Sequence, residues 1–390
     1  MAGTAIAGEL KVGATTRMTA RHSVCGPARI EFALAQASDD PEIRRLLRES
    51  AMAGTISVSL EREPNYFAEE RQSALERQTI VAREGNRVIC VGSCSFSQRF
   101  INGRPRRVGY LGGLRLDPRF AGRFDILRRG YQFFRHLQEN AQADFYFTSI
   151  ASDNQRAVSF LERGLPGMPK YQPIADMVTL VIPVRRFPKG RYPEFAGTER
   201  VSDWDEVVDQ LNAHNSQFQL APAFSGNDLS LPSLGLHAHD FRVFKRADRI
   251  FGCAALWDQR SFKQTVIRGY DTRLKTARPL INFVGCFAGT VELPAVGSVL
   301  ASASVSHLAC NHAHPDGLES LINAVTQLGF EKGIQFLIVG FAANDPRLAM
   351  MRTGLKTRQY QSRLYAVHWP NQTPFEKLDG RIVFPEVASL

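Results

Sequence analysis

Paired cysteines are the first thing this chain lacks. It holds six cysteines in 390 residues and no C-x-x-C pair, which excludes a disulfide scaffold and the common zinc modules and points to reduced thiols in a cytoplasmic protein. A secretory leader is not expected either. Residues 1–27 are rich in Ala, Gly and Thr and contain no apolar run, so they read as a flexible tail. Nor is there an unbroken stretch of membrane length. Leu280 to Leu308 has Glu292 as its one formal charge, yet Gly, Ser and Pro294 interrupt it, and the alternation from Val299 to Val305 suits a buried strand; no membrane span is expected. Such a segment suits a buried insertion or an apolar pocket for a longer acyl chain. Acids are scarce beside bases, 38 against 48, for a net charge of +10. What remains is globular composition, 44% hydrophobic and 22% charged, and a length that suits two or three domains.

The positive charge is local. Between Arg99 and Arg135 stand ten arginines and two acids, Asp117 and Asp125, so 37 residues carry +8 and the other 353 carry +2. An all-arginine excess favours bidentate recognition of phosphate or carboxylate, which points to a nucleotide-like cofactor first and to nucleic acid second.

The pattern of elements describes a mixed sheet with helices on both faces. A strand at Arg29–Ala35 leads through Ser38-Asp39-Asp40-Pro41 into a helix, and Tyr66–Arg77 reads as a second, charged helical stretch. A hairpin follows around Glu84-Gly85-Asn86, then strands at Val108–Leu116, Phe145–Ile150 and Met177–Val184, with helices at about 122–139 and 154–163. Residues 185–198 are basic and punctuated by Pro and Gly, a linker. After it the pattern restarts, with a capping box at Ser202 and Asp205 and a hairpin around Lys245–Arg249.

The restart is a repeat. Phe145-Tyr-Phe-Thr-Ser-Ile-Ala-Ser-Asp-Asn154 matches Phe336-Leu-Ile-Val-Gly-Phe-Ala-Ala-Asn344, and Gly164-Leu165 matches Gly354-Leu355. Gly92 and Gly252 are closer together than these pairs are, so the second half holds about 30 extra residues, at about 258–298. A tandem duplication results.

Two motifs of the first half carry a resemblance. Leu114-Arg115-Leu116-Asp-Pro-Arg119-Phe120-Ala121-Gly122-Arg123-Phe124 is similar to the cofactor strand and pyrophosphate loop of the GCN5-related N-acetyltransferase superfamily. Asn154-x-x-Ala157-x-x-Phe160, with Gly164-Leu165 beyond it, is similar to the motif that follows. The resemblance spans about 28–184 and recurs, more weakly, over about 195–370. It implies an α/β fold of two tandem acyl-CoA N-acyltransferase-like domains, at 28–184 and 199–370, the second degenerate, with a C-terminal tail at 371–390. It implies that acetyl-CoA or another acyl-CoA is held by Leu114, Arg115, Leu116, Arg119, Phe120, Ala121, Gly122, Arg123, Phe124, Asn154, Ala157 and Phe160. The physics agrees: a loop entering a helix offers unpaired N–H groups and a positive dipole end to a pyrophosphate, and Gly122 allows close approach.

The sequence also departs from the family. Phe124 stands where a second small residue is expected, and Leu161 where many members place a tyrosine that protonates the leaving thiolate. Tyr110, Tyr131, Tyr146 and Asp153 are the candidates to replace it, with Tyr110 and Asp153 put forward as catalytic. The second half has Cys310-Asn-His312-Ala-His314-Pro-Asp316-Gly317 at the loop position, with no arginine, so it is not expected to bind coenzyme A. These histidines, with His307, His237 and His239, match no common zinc spacing, and no metal is assigned. N-myristoyltransferases, another tandem version of the fold, use a C-terminal carboxylate as base, and Leu390 ends an apolar Val-Ala-Ser-Leu, so a docked terminus is a further expectation.

The expected function is transfer of an acyl group, acetyl in the first instance, from acyl-CoA to an amine of a small molecule or peptide. An aminoacyl-tRNA-dependent transferase, a long-chain acyltransferase and a non-catalytic coenzyme A-binding module are the alternatives.

Overall fold

A computed structural model describes residues 30–52, 54–69, 76–139, 143–184, 198–199, 201, 204–225, 235–246, 249–288, 293–310, 315–354, 357–369 and 377–390. The tail at 1–27, nearly all of the linker, and His312 and His314 lie outside the described residues. The first half comprises β1 (Ile30–Leu34), α1 (Asp40–Glu49), β2 (Ile56–Glu61), β3 (Glu76–Glu84), β4 (Arg87–Ile101), β5 (Arg104–Leu116), α2 (Phe124–Leu137), β6 (Phe145–Ala151), α3 (Gln155–Leu161) and β7 (Lys170–Pro183). The second comprises β8 (Thr198–Glu199), α4 (Trp204–Asn215), β9 (Phe241–Arg246), β10 (Arg249–Trp257), β11 (Gln264–Tyr270), α5 (Thr272–Ala288), β12 (Ser302–Cys310), α6 (Pro315–Glu331), β13 (Phe336–Ala342), α7 (Pro346–Gly354) and β14 (Arg358–His368).

Twelve strands form one sheet in the order β1-β3-β4-β5-β6-β14-β7-β13-β12-β10-β9-β8. Read outward from its centre, β14-β6-β5-β4-β3 mirrors β7-β13-β12-β10-β9. The repeat seen in the sequence is therefore a repeat in space. Each half also gives its last strand to the other. β7 pairs with β13, and β14 lies between β6 and β7. One core cluster accordingly joins Val178, Leu180 and Ile182 of β7 to Leu337, Val339 and Phe341 of β13. The region of extra residues in the second half contributes β11 and α5, and β11 pairs with β2 as a separate two-stranded sheet.

Two expectations need correction. The helical stretch to Arg77 is replaced from Glu76 onward by β3, because Glu76 to Glu84 pair in register with β4 and a sheet partner outweighs local helix propensity. The described part of the C-terminal tail, 377–390, is not a tail. Val383, Phe384 and Ala388 are buried, and Phe384 packs with Phe341 and Phe218. Main-chain bonds Gln219 N–Ile382 O and Phe384 N–Gln219 O, each 2.9 Å, and the guanidinium of Arg99 fasten it. Among the described residues no helix is long and apolar enough to cross a membrane.

Candidate functional site

β5 and β6 run parallel only over Val108–Tyr110 and Phe145–Phe147, then part. From Leu111 to Leu116 the β6-facing edge of β5 has no strand partner, while the other edge stays on β4 through a bulge between Ser93↔Gly112 and Val91↔Arg115. Gly113 sits in that bulge at φ +66°, where a side chain is strained. At the apex of the fork the Thr148 hydroxyl donates to the Leu111 carbonyl at 2.6 Å. The open edge offers main-chain donors and acceptors to an extended, amide-bearing ligand, as a missing strand would.

The loop beyond the strand approaches α2. Asp117 accepts from the Arg119 main chain at 3.0 Å and from the guanidinium groups of Arg119 and Arg87; the Arg119 bonds above all hold its carboxyl far below the usual range. Gly122 has φ +91° with open space around it. Arg123 is the N-cap of α2 and no side chain caps that helix end; the Phe124 and Ile126 amides donate instead to the Gly122 and Arg123 carbonyls, at 2.9 and 3.2 Å. Phe124, the residue out of pattern, stacks on Phe160 with ring centroids 4.6 Å apart, so it braces α2 against α3. Asn154 caps α3, accepting from Ala157 N at 3.1 Å.

A cavity of about 540 Å³ opens from this fork. Of the residues put forward for the cofactor, Leu114, Arg115, Asn154 and Ala157 line it. Leu116 and Phe120 pack instead beside Ile126, and Ala121 to Phe124 are exposed. Tyr110 and Tyr131 line it as well; burial pushes both phenols up to about 12. The Tyr131 hydroxyl is hydrogen-bonded to that of Tyr171. Tyr146 is engaged in structure, accepting from Ala143 N and donating to Gln138. Asp153 is exposed and does not line the cavity, so the two residues put forward as catalytic are not brought together.

The arginine-rich segment disperses. Arg99 is 2% exposed and donates to the carbonyls of Leu220 and Pro385 and to Ser389 Oγ. Arg107 and Arg129 lie over the rings of Phe96 and Phe32. Arg123 is paired with Asp125 at 2.8 Å.

The cavity also has walls that no local pattern announced. Trp257, Gln259, Lys263, Ser302, Tyr360 and Leu390 all belong to the second half. They arrive there because β14 lies beside β6 and because the C-terminal segment crosses the molecule. Lys263 donates to the Leu390 main-chain oxygen at 2.5 Å and Gln259 to the Ala388 carbonyl at 2.9 Å.

The second half has the same fork, occupied by the chain itself. Ser302 pairs with Phe336 as Val108 pairs with Phe145, and counting five residues on reaches His307 and Gly113 respectively. His307 takes φ +51° in a bulge between Cys253 and Ala255, the counterpart of that between Val91 and Ser93. Its main-chain N–H, however, already donates to the Glu386 carboxylate. Val387 reaches Gly340 so closely that a Cβ there would collide with Val387 Cγ2. Among the described residues no group of three or more His, Cys, Asp or Glu side chains forms a metal site.

No protein-family profile matches this sequence, and no curated protein is similar to it in sequence. Solved structures are similar in fold. A GCN5-related N-acetyltransferase from Sphaerobacter thermophilus is 12% identical, with 90% of this chain and 99% of that one covered and a TM-score of 0.54. The N-myristoyltransferase of Saccharomyces cerevisiae with bound myristoyl-CoA is 11% identical, covers 90% of this chain and 87% of its own, and has a TM-score of 0.56. At these identities the likeness is one of fold, and the fold is the one that the sequence resemblance implied.

Proposed function

We propose that the protein is an N-acyltransferase that takes its acyl group from acyl-CoA in the first fork and passes it to an amine entering from the second-half side of the cavity. The observation that carries this reading is the contrast between the forks: one opens onto a cavity, the other is filled by Glu386 and Val387. The free edge of β5 pairs with the pantetheine arm. The positive end of the α2 dipole, with Arg119 and Arg123, receives the phosphates. In the reaction the amine nitrogen bonds to the acyl carbon, the carbon–sulfur bond breaks, and the proton lost by the amine balances the one gained by the thiol. Main-chain N–H groups at the Gly113 bulge stand where they can receive the developing negative charge. The engagement of Arg107 and Arg129 by rings and of Arg123 by Asp125 favours this reading over RNA binding.

The cavity favours an acyl group longer than acetyl. Phe32, Ala82, Cys90, Ile126 and Gly130 line an apolar arm on the α2 side of the sheet. β1, which carries Phe32, is three strands from β5, about 14 Å at about 4.8 Å per strand. Single carbon–carbon bonds of about 1.5 Å, staggered, need about ten carbons to span it.

Calorimetry with decanoyl-CoA tests the site. One molecule is expected per chain, and the thermal stabilisation it gives is expected to vanish in the Arg119→Ala, Arg123→Ala double variant. Two molecules per chain, or no binding, overturns the reading.

A further inference from the structure

We propose that the acyl chain this protein takes carries a hydroxyl along its length, and that the paired phenols of Tyr131 and Tyr171 receive that hydroxyl inside the cavity. The inference rests on the acyl-transfer reading and names its acyl-group class. Both tyrosines line the cavity. Tyr131 reaches it from α2 and Tyr171 from β7, where Tyr171 stands opposite Val367 of β14, as Tyr146 of β6 does on the other edge. Their rings meet edge to face with centroids 6.4 Å apart, and their hydroxyls are hydrogen-bonded to each other. The wall around them is apolar: Ile80, Leu111, Leu127, Phe134 and Leu161 belong to the same cluster and line the same cavity.

Burial pushes the Tyr131 phenol up to about 12 and raises that of Tyr171 well above its ordinary value, so both keep their hydrogens. One of the two hydrogens forms the bond between the oxygens. The other has no acceptor among the described residues, although Tyr171 is only 9% exposed. Two nearby phenols are fully engaged by contrast. Tyr146 donates to Gln138 at 3.1 Å and Tyr365 to Glu162 at 2.8 Å.

A spare hydroxyl hydrogen in an apolar wall selects what is seated against it. A plain methylene chain there excludes water and leaves the hydrogen bare, which is unfavourable. A hydroxyl on the chain accepts that hydrogen and returns its own to a phenol lone pair, so both groups are satisfied. A keto oxygen accepts but has nothing to return. The hydroxylated chain is therefore the class that matches the pair.

A series of acyl-CoAs tests this: decanoyl-CoA against decanoyl-CoAs carrying one hydroxyl, at carbon 3 or at any of carbons 6 to 10. Each is followed by calorimetric binding and, separately, by thiol release with a panel of primary amines. The wild type is expected to bind one member of the series at least tenfold more tightly than the plain chain, because a site built to hydrogen-bond a hydroxyl rejects the analogue lacking it. In the Tyr131→Phe, Tyr171→Phe double variant, whose rings fill the same space, that ratio is expected to fall to about one. Each single variant keeps one phenol and should hold part of it. Equal binding of all the chains, or a preference that survives in the double variant, overturns the inference and leaves acyl transfer standing. Thiol release slowed equally for every chain in the double variant would put the phenols at the leaving sulfur and also overturns it. A tenfold binding preference without thiol release sustains the hydroxyl site and overturns acyl transfer instead.

Discussion

Gly130→Leu is the sharpest probe of the apolar arm. Gly130 lies inside α2 and lines the cavity, and a Cβ built on it would meet Phe32 Cε1 at 3.6 Å, an ordinary contact. The substitution therefore needs no backbone shift, and replacing glycine within a helix stabilises it by about 0.5–1 kcal/mol. Beyond Cβ, leucine places three more carbons in space that the acyl chain would otherwise fill. At about 0.8 kcal/mol per buried methylene the excluded length is about 2.4 kcal/mol, or about fiftyfold in kcat/KM. The assay is thiol release with decanoyl-CoA and with acetyl-CoA. The ratio of their kcat/KM values is expected to fall about fiftyfold, while Tm holds or rises. A ratio unchanged within twofold, with the fold intact, refutes an acyl chain in the arm. An equal loss for both substrates would mean that the arm belongs to the pantetheine path.

Arg99→Met should destabilise the fold by about 2–4 kcal/mol in urea unfolding, because it leaves the buried Leu220 and Pro385 carbonyls without their charged donor. Residues 385–390 should become the first site of limited proteolysis. Gly340→Ala places a methyl against Val387 and should cost about 1–3 kcal/mol by overpacking, largely recovered in the Gly340→Ala, Val387→Gly double variant; additive losses would show that the two do not meet. Burial, then Arg62 and Arg77, pull Lys263 down to about 8, with Glu69 opposing them. Its folded pKa lies below the unfolded one, so between about 8 and 10.5 the unfolded chain holds the extra proton and stability rises with pH through this window. Lys263→Gln should flatten that rise in urea titrations, and an unchanged pH profile would remove Lys263 as its source.

Much of the fold was legible. Apolar spacing placed α2, β6, α3 and β10 close to where they stand, and one repeat of strand, loop and helix foretold the mirrored sheet. A further signal was there to be read: Asn102-Gly103, with φ +50° and +78°, turns β4 into β5 and lengthens both strands beyond the patterned cores. The positive φ of Gly122 and the lack of a side-chain cap on α2 also followed from local rules, since both are features of neighbouring residues.

What the sequence by itself determined is the set of elements and their duplication, because each is written in residues a few positions apart. Only the tertiary structure decided which fork is open. The two forks have matching registers and matching bulges, and they differ because a segment 79 residues beyond His307 brings Glu386 to its amide. The same long-range pairing exchanges β7 and β14 between the halves and sets Lys263 and Tyr360 in the same cavity as Arg115. It also assigns the arginines, one to a buried anchor, others to rings and aspartates, one to the cavity wall. Charge counted along a chain cannot make that division, because the field at a site depends on which charges burial and pairing leave uncompensated.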